Sequence, residues 1–246
     1  MLKRRTAVAP LAMFLFCVTI SSDAAADPFQ VGDFITYSQD SWGTLHTAAS
    51  DLLDDQFDLQ YPGGVEIGII GPPGNSALFT NSTAVLVYLP ADGLPGPLQN
   101  DLQDPVTTSA GAFGGNVLAL QLSVDFNDAG LLAGSAGIPF GDLILFDLPF
   151  PDVNGLPVRD FLAAANTCLG GGSCLLPLEE NGADGAMVLT TLSLALSFEG
   201  GTPSQFAQDH LALPAQPPQP VPEPATLGLL GIGITAATMR RFKRRG

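Results

Sequence analysis

Basic residues are almost absent from this chain except at its two ends. Of nine Lys and Arg, Lys3, Arg4 and Arg5 open the sequence and Arg240, Arg241, Lys243, Arg244 and Arg245 close it, which leaves Arg159 alone between them. All of the 24 Asp and Glu except Asp23 fall within 27–224, so that stretch sets 23 acids against one base, a formal charge of −22. A surface without a basic footprint excludes nucleic acid as a partner and disfavours anionic lipid. It repels copies of itself and attracts cations, with divalent ions first, so calcium is the one inorganic cofactor to consider. Histidine is scarce as well. His46 and His210 neither adjoin a Ser or Cys nor sit in a spacing that makes a catalytic pair, and both read as structural or surface residues. Gly134-Ser135-Ala136-Gly137 lacks the flanks of a nucleophile elbow, and carboxylate pairs are too frequent for any one to mark a glycosidase site. No catalytic residues are assigned and no enzyme activity is expected.

The two basic ends are different signals. Lys3-Arg4-Arg5 is followed by an apolar run, Leu11 to Ile20, too short to span a membrane, and then by Ala24-Ala25-Ala26 before Asp27. That order reads as a secretory signal peptide over 1–26, cleaved between Ala26 and Asp27 by signal peptidase after delivery by the general secretion machinery. Cys17 follows the bulky Phe16, which does not suit a lipidation signal, and it should leave with the signal.

At the other end, Val221-Pro222-Glu223-Pro224 precedes the uncharged run Ala225 to Met239 and the basic stop Arg240, Arg241, Lys243, Arg244 and Arg245. As a helix that run spans roughly 22 Å against a hydrocarbon core of roughly 30 Å, a marginal anchor unless Phe242 and the Arg stems extend it. The basic stop would stay cytoplasmic and hold everything before Pro222 outside. Gly228, Gly231 and Gly233 keep the backbone thin enough for another membrane protein to approach. Physically the segment fits a permanent C-terminal anchor as well as a handled one. The Pro-Glu-Pro triplet, the short Gly-rich apolar run and the basic terminus, in that order over 222–246, resemble the PEP-CTERM protein-sorting signal. The resemblance implies an integral-membrane partner, exosortase, that recognises the motif and removes the helix. It further implies a mature protein released or attached to surface polysaccharide.

Between these ends, 27–213 is long enough for one sizeable domain. Pro214 to Val221, rich in Pro and Gln, reads as a stiff linker that holds the body clear of the membrane. Cys168 and Cys174 bracket a Gly-rich loop in an exported chain, which predicts a disulfide; two thiolates with no histidine nearby would leave zinc under-coordinated.

The apolar stripe Leu45, Ala48, Ala49, Leu52, Leu53 and Phe57, opposed by Asp51, Asp54, Asp55 and Asp58, predicts an amphipathic helix over 44–58. Val65 to Ile70 reads as a strand stopped by the Gly-Pro-Pro-Gly turn at 71–74. Asn81-Ser82-Thr83 caps a helix that runs to about Leu89, Val158 to Leu169 carries a helical stripe ended by Gly170, and Thr202-Pro203 starts a last short helix. Segments 117–126 and 186–198 alternate apolar and polar like strands yet also fit helices, and propensity leaves both open. Tyr37 to Gly43, Phe57, Tyr61-Pro62, Ala112 to Phe126, Gly141 to Leu143 and Val158 to Leu162 are similar to an extracellular module of bacterial surface and secreted proteins. That resemblance implies helices at the alternating segments and no particular activity. The expected fold is α-rich α+β, a single globular extracellular domain with minor short strands.

Asp125-Phe126-Asn127-Asp128-Ala129-Gly130 resembles the start of a calcium loop but lacks the later ligands, and Asp152-Val153-Asn154-Gly155 fits a turn. Trp42, Tyr37, Tyr61 and several Phe are candidates for a sugar-binding face, which would make exopolysaccharide a partner, but in a chain with a single Trp they read more readily as core. The expected function is an exported, acidic, non-enzymatic protein of the surface or of a biofilm matrix. A permanently anchored surface protein and a secreted hydrolase with an unrecognised site are the alternatives.

Overall fold

A computed structural model describes residues 29–214 apart from Pro72, Ala133 and Gly182. The expected signal peptide and its cleavage site at Ala24, Ala26 and Asp27, most of the expected linker, the sorting motif and the basic stop lie outside the described residues. The described chain runs α1 (Gln39–Gly43), α2 (Ala48–Gln60), β1 (Val65–Gly68), β2 (Ser76–Phe79), α3 (Ser82–Tyr88) and β3 (Leu102–Gln103). It continues as α4 (Gly111–Asp128), a 3-10 turn at Phe140–Asp142, β4 (Ile144–Leu145), α5 (Val158–Leu169), β5 (Glu179–Glu180) and β6 (Ala183–Asp184). The last elements are α6 (Ala186–Ala195), α7 (Gln205–His210) and β7 (Leu211–Ala212). Strands β1 and β2 are antiparallel, with Val65 opposite Phe79, and β3 adds to β2 in parallel. The pairs β4–β7 and β5–β6 are separate two-stranded ribbons.

Helix α4 is the axis. Every residue from Phe113 to Leu120 is buried, and α6, α5, α1 and β1 all pack on it. A helix surrounded on all sides needs no polar face, so its sequence loses the 3.6-residue period. This resolves the ambiguity at 117–126 in favour of helix, and α6, with Met187, Val188, Thr190, Thr191, Leu194 and Ala195 buried, resolves 186–198 the same way. The polar residues that α4 does carry are tied to segments that connect other elements. Asn116 Oδ1 accepts from Gln39 Nε2 at 3.2 Å, Ser123 Oγ accepts from Tyr37 N at 3.2 Å, and Asn127 bridges Phe140 N (2.7 Å) and Leu132 O (2.8 Å). Gly114 and Gly115 let the wall close: a Cβ there would run into Tyr88 Oη and Gln39 Oε1.

The remaining expectations mostly hold, with shifted ends. Helix α5 occupies 158–169 as predicted and α3 begins at its Asn81 cap, whose side chain accepts from Ala84 N at 2.9 Å. The helix expected over 44–58 starts at Ala48, because Thr47 and Ser50 form a reciprocal capping box that makes 44–47 the turn after α1. The strand expected to Ile70 ends at Gly68, whose φ of +100° turns the chain out of the sheet. The cap of α7 is Ser204 instead of Thr202: its side chain accepts from Ala207 N, while Thr202 closes a turn onto Glu199 and Pro203 stays outside the helix. Helix α1 and the strands β2 to β7 had no sequence expectation.

Asn127→Ala removes the partners of two groups in a buried turn and should destabilise the body by roughly 1–3 kcal/mol in urea unfolding, with an unchanged fold by circular dichroism. A cost near zero would mean that the 132–140 turn is not held by α4.

Candidate functional site

Three polar constellations stand out among the described residues. The first lies between α2, α4 and α5. Asp125, half-buried, accepts from Tyr61 Oη at 2.9 Å and from Gln121 Nε2 at 2.8 Å; Gln121 Oε1 in turn accepts from Asn166 Nδ2, and Asn166 Oδ1 accepts from the Gly68 amide at 2.8 Å. Burial raises the Asp125 carboxyl above its ordinary range, more than the donors Gln121 and Tyr61 lower it. The Tyr61 phenol is raised by burial and by the carboxylate beside it. The chain of bonds links β1 to α5, α4 and the end of α2, which is a structural role.

In the second constellation, Arg159 donates from Nε to Asp142 Oδ1 at 2.8 Å and from Nη1 to Asp128 Oδ2 at 3.0 Å. The one base of the body thus holds the end of α4, the 3-10 turn and the start of α5 together. Its guanidinium lies over Gly141, where a Cβ would come within 2.9 Å of Nη2. The expected calcium loop at 125–130 is the last turn of α4: Asp125, Asn127 and Asp128 are bonded to Tyr61, to the 132–140 turn and to Arg159. Likewise Asp152 to Gly155 is a turn in which Asn154 bonds the backbone of Leu148 at 2.9 Å in both directions. Among the described residues, no group of three or more His, Cys, Asp or Glu is placed to hold a metal ion.

Glu199 forms the third. It accepts from Ser38 N at 2.7 Å and from Ser41 Oγ, closing the N-terminal end of α1, and its charge adds to burial in raising Tyr37. The proposed sugar face is not there. Trp42 is fully buried against Tyr37 and Phe126, at centroid distances of 5.4 and 5.5 Å, and Tyr61 packs on Phe57 and Phe126. These rings fill the core because α1, an element without a long periodic signature, delivers Trp42 inward. The histidines stay apart in role: His46 stands exposed in the α1–α2 turn at φ +64°, and His210 packs at a tilt against Phe206 and contacts Phe146 O. Ser135 Oγ donates to Asp33 in an exposed turn. Cys168, the buried end of α5, and exposed Cys174 are joined in a disulfide with their Cα atoms 4.4 Å apart.

Both ends of the body meet. Residues 29–38 run along 197–208: Phe29 N donates to Gln208 Oε1 and Gln208 Nε2 donates back to Phe29 O at 3.0 Å. Gly32 N donates to Gly201 O, and Thr36 N to Phe198 O. Phe29, Phe34 and Phe198 pack with centroids 5.0–5.7 Å apart. The chain then leaves through β7, which pairs Leu211 with Leu145. The first described residues and the exit strand β7 therefore both lie beside one helix, α7.

Comparison with known families decides the nature of the segment beyond Pro214. Residues 220–245 match the PEP-CTERM protein-sorting motif. The chain thus carries a PEP-CTERM sorting motif, which implies exosortase as the processing partner and the cell surface as the destination. The motif covers only the end of the chain, and the match includes Val221, Pro222, Glu223, Pro224 and the basic stop through Arg245. No curated protein and no solved structure matches this chain. Among the described residues, no helix is long and apolar enough to cross a membrane.

The body's buried carboxyl and its disulfide each give an expected outcome. Because the folded Asp125 carboxyl titrates above its unfolded value, folding favours its protonated form, a gain lost as pH rises through the folded pKa. Asp125→Asn should therefore raise the melting temperature at pH 7, and the gain should vanish towards pH 3; a gain independent of pH would contradict the burial account. Cys174→Ser should cost about 2 kcal/mol, the loop-closure value for so small a ring, read as a urea midpoint shift that reductant reproduces in the unsubstituted protein.

Proposed function

We propose that this PEP-CTERM protein is a non-catalytic, acidic component of the cell surface or of an exopolysaccharide-rich, biofilm-type matrix. The observation that carries the reading is the sorting motif placed directly after a body whose only base, Arg159, is bonded to two acids. Such a body presents carboxylates almost exclusively. It stays soluble at high local density, repels its own copies and gathers counter-ions without a dedicated site. Divalent cations, calcium included, act here as diffuse counter-ions between acidic proteins and anionic polymer. Tyr37, Trp42 and Tyr61 support the core, so association with exopolysaccharide runs through the C-terminal attachment instead of an aromatic glycan cleft.

The histidines support the non-catalytic reading by their partners: neither is paired with a nucleophile or a carboxylate among the hydrogen bonds of the described residues. The signal peptide and the apolar run after Pro224 make the precursor a membrane-tethered intermediate. Loss of its tail completes delivery.

Substituting Pro222→Ala together with Glu223→Ala in the native host tests this reading. The protein should shift from the surface and medium fractions to the membrane fraction with at least a tenfold change in their ratio. An unchanged distribution would make the tail a plain anchor. Turnover of polysaccharide or ester substrates by the purified body, abolished by His46→Ala or His210→Ala, would replace the structural role with a hydrolase.

A further inference from the structure

Helix α6 carries an apolar stripe that the core does not use. Leu189, Leu192 and Leu196 recur on one face of the helical turn. Leu189 is 50 % and Leu196 37 % exposed, Leu192 is half-buried, and none of the three belongs to the core cluster. The two ends of the stripe differ. Beside the N-terminal end stands the β5–β6 hairpin, with Glu179, Glu180 and Asp184 all exposed and both strands packed against α6. Beside the C-terminal end, Ser204 N donates to Ser197 O at 2.7 Å and seats α7, the last helix before the chain leaves at Pro214.

We propose that this face takes the protein's own unprocessed tail, with Ala225–Met239 over the leucine stripe and the Arg240–Arg245 cluster against the acidic hairpin. Order, length and charge fit together. The Pro-rich residues 215–224, extended at about 3.1 Å each, reach roughly 30 Å, enough to turn back from α7 to the near end of α6. A run antiparallel to α6, itself about 15 Å long, covers the stripe with residues to spare. The basic stop then arrives where Glu179, Glu180 and Asp184 stand. Apart from Arg159, which is already paired, the tail holds the only bases after Asp27.

Other occupants fit less well. A stable dimer buries roughly 1,200–2,000 Å² in total, more than three leucines offer, and two such acidic bodies repel. An anionic lipid surface is repelled by the same hairpin. Since the apolar run is short for a membrane span, docking on α6 and insertion compete for one segment. Removal of the tail uncovers the stripe. The contact needs only the chemistry of the tail and stands or falls independently of its processing.

The test uses the full chain, signal removed, purified from a host lacking exosortase and studied without lipid. A photoreactive benzoylphenylalanine replaces Leu192 in one variant and, as a control, the 79 % exposed Leu59 in another. Illumination should join position 192 to residues 225–245 of the same chain, at least fivefold more than position 59. Glu179→Lys with Glu180→Lys and Asp184→Lys should lower that yield at least fivefold. Cross-links between two chains would assign the stripe to a dimer and overturn the proposal. Equal yields from both positions, or no cross-link in a chain with unchanged helix content, would overturn it as well.

Discussion

Burying nearly the whole of α4 obliges most polar groups along it to find partners elsewhere in the chain, and the rest of the body is arranged to supply them. A buried donor or acceptor left unmade costs roughly 1–3 kcal/mol, a large part of a domain's net stability. Gln39, Tyr37, Tyr61, Asn166, Phe140 and Leu132 meet those groups. All belong to other helices, to helix ends or to connecting segments. The short strands fit this picture: with no extended sheet to provide backbone partners, side chains of the central helix fix the loops.

The same architecture sets how the ends behave. Residues 29–38 close the body only by lying along 197–208, so the first described residues are locked by nearly the last. A chain exported from its N-terminus cannot complete this contact until the C-terminal third has emerged. Charge is distributed to the same effect: Arg159 is held inside a clamp of two acids, and the basic residues free to meet anionic surfaces sit on segments outside 27–239.

How much was legible in the sequence depended on exposure. Helix α5 was readable to its ends because one face meets solvent and the other meets the core, which writes a helical period into Val158, Phe161, Leu162, Ala165 and Leu169. In α4 and α6 the period is erased by burial, and the alternation of Leu118, Leu120, Leu122, Val124 and Phe126 imitates a strand. Only a resemblance beyond the periodicity pointed to helix there. For Trp42 the local pattern was silent, because α1 is five residues long, too short for a stripe to declare which way the ring faces; the core reading suited to a lone Trp is the one the structure bears out. The Thr202-Pro203 start failed because a tertiary turn onto Glu199 took precedence over a local cap. The strands β2 to β7, two to four residues long, leave no periodic trace, whereas β1 was legible from its β-branched residues and the Gly-Pro-Pro-Gly stop behind it. The sorting motif was legible for the opposite reason: it is read as a linear segment, so its recognition needs no fold.

The central claim is that the acidic body is a cargo, trimmed at both ends and delivered by its C-terminal signal. Intact mass of the mature protein from its native host, with and without exosortase, tests it most directly. The account predicts loss of residues 1–26 in both hosts, and loss of everything beyond the Pro222-Glu223-Pro224 region only where exosortase is present. A tail retained in both hosts would contradict it.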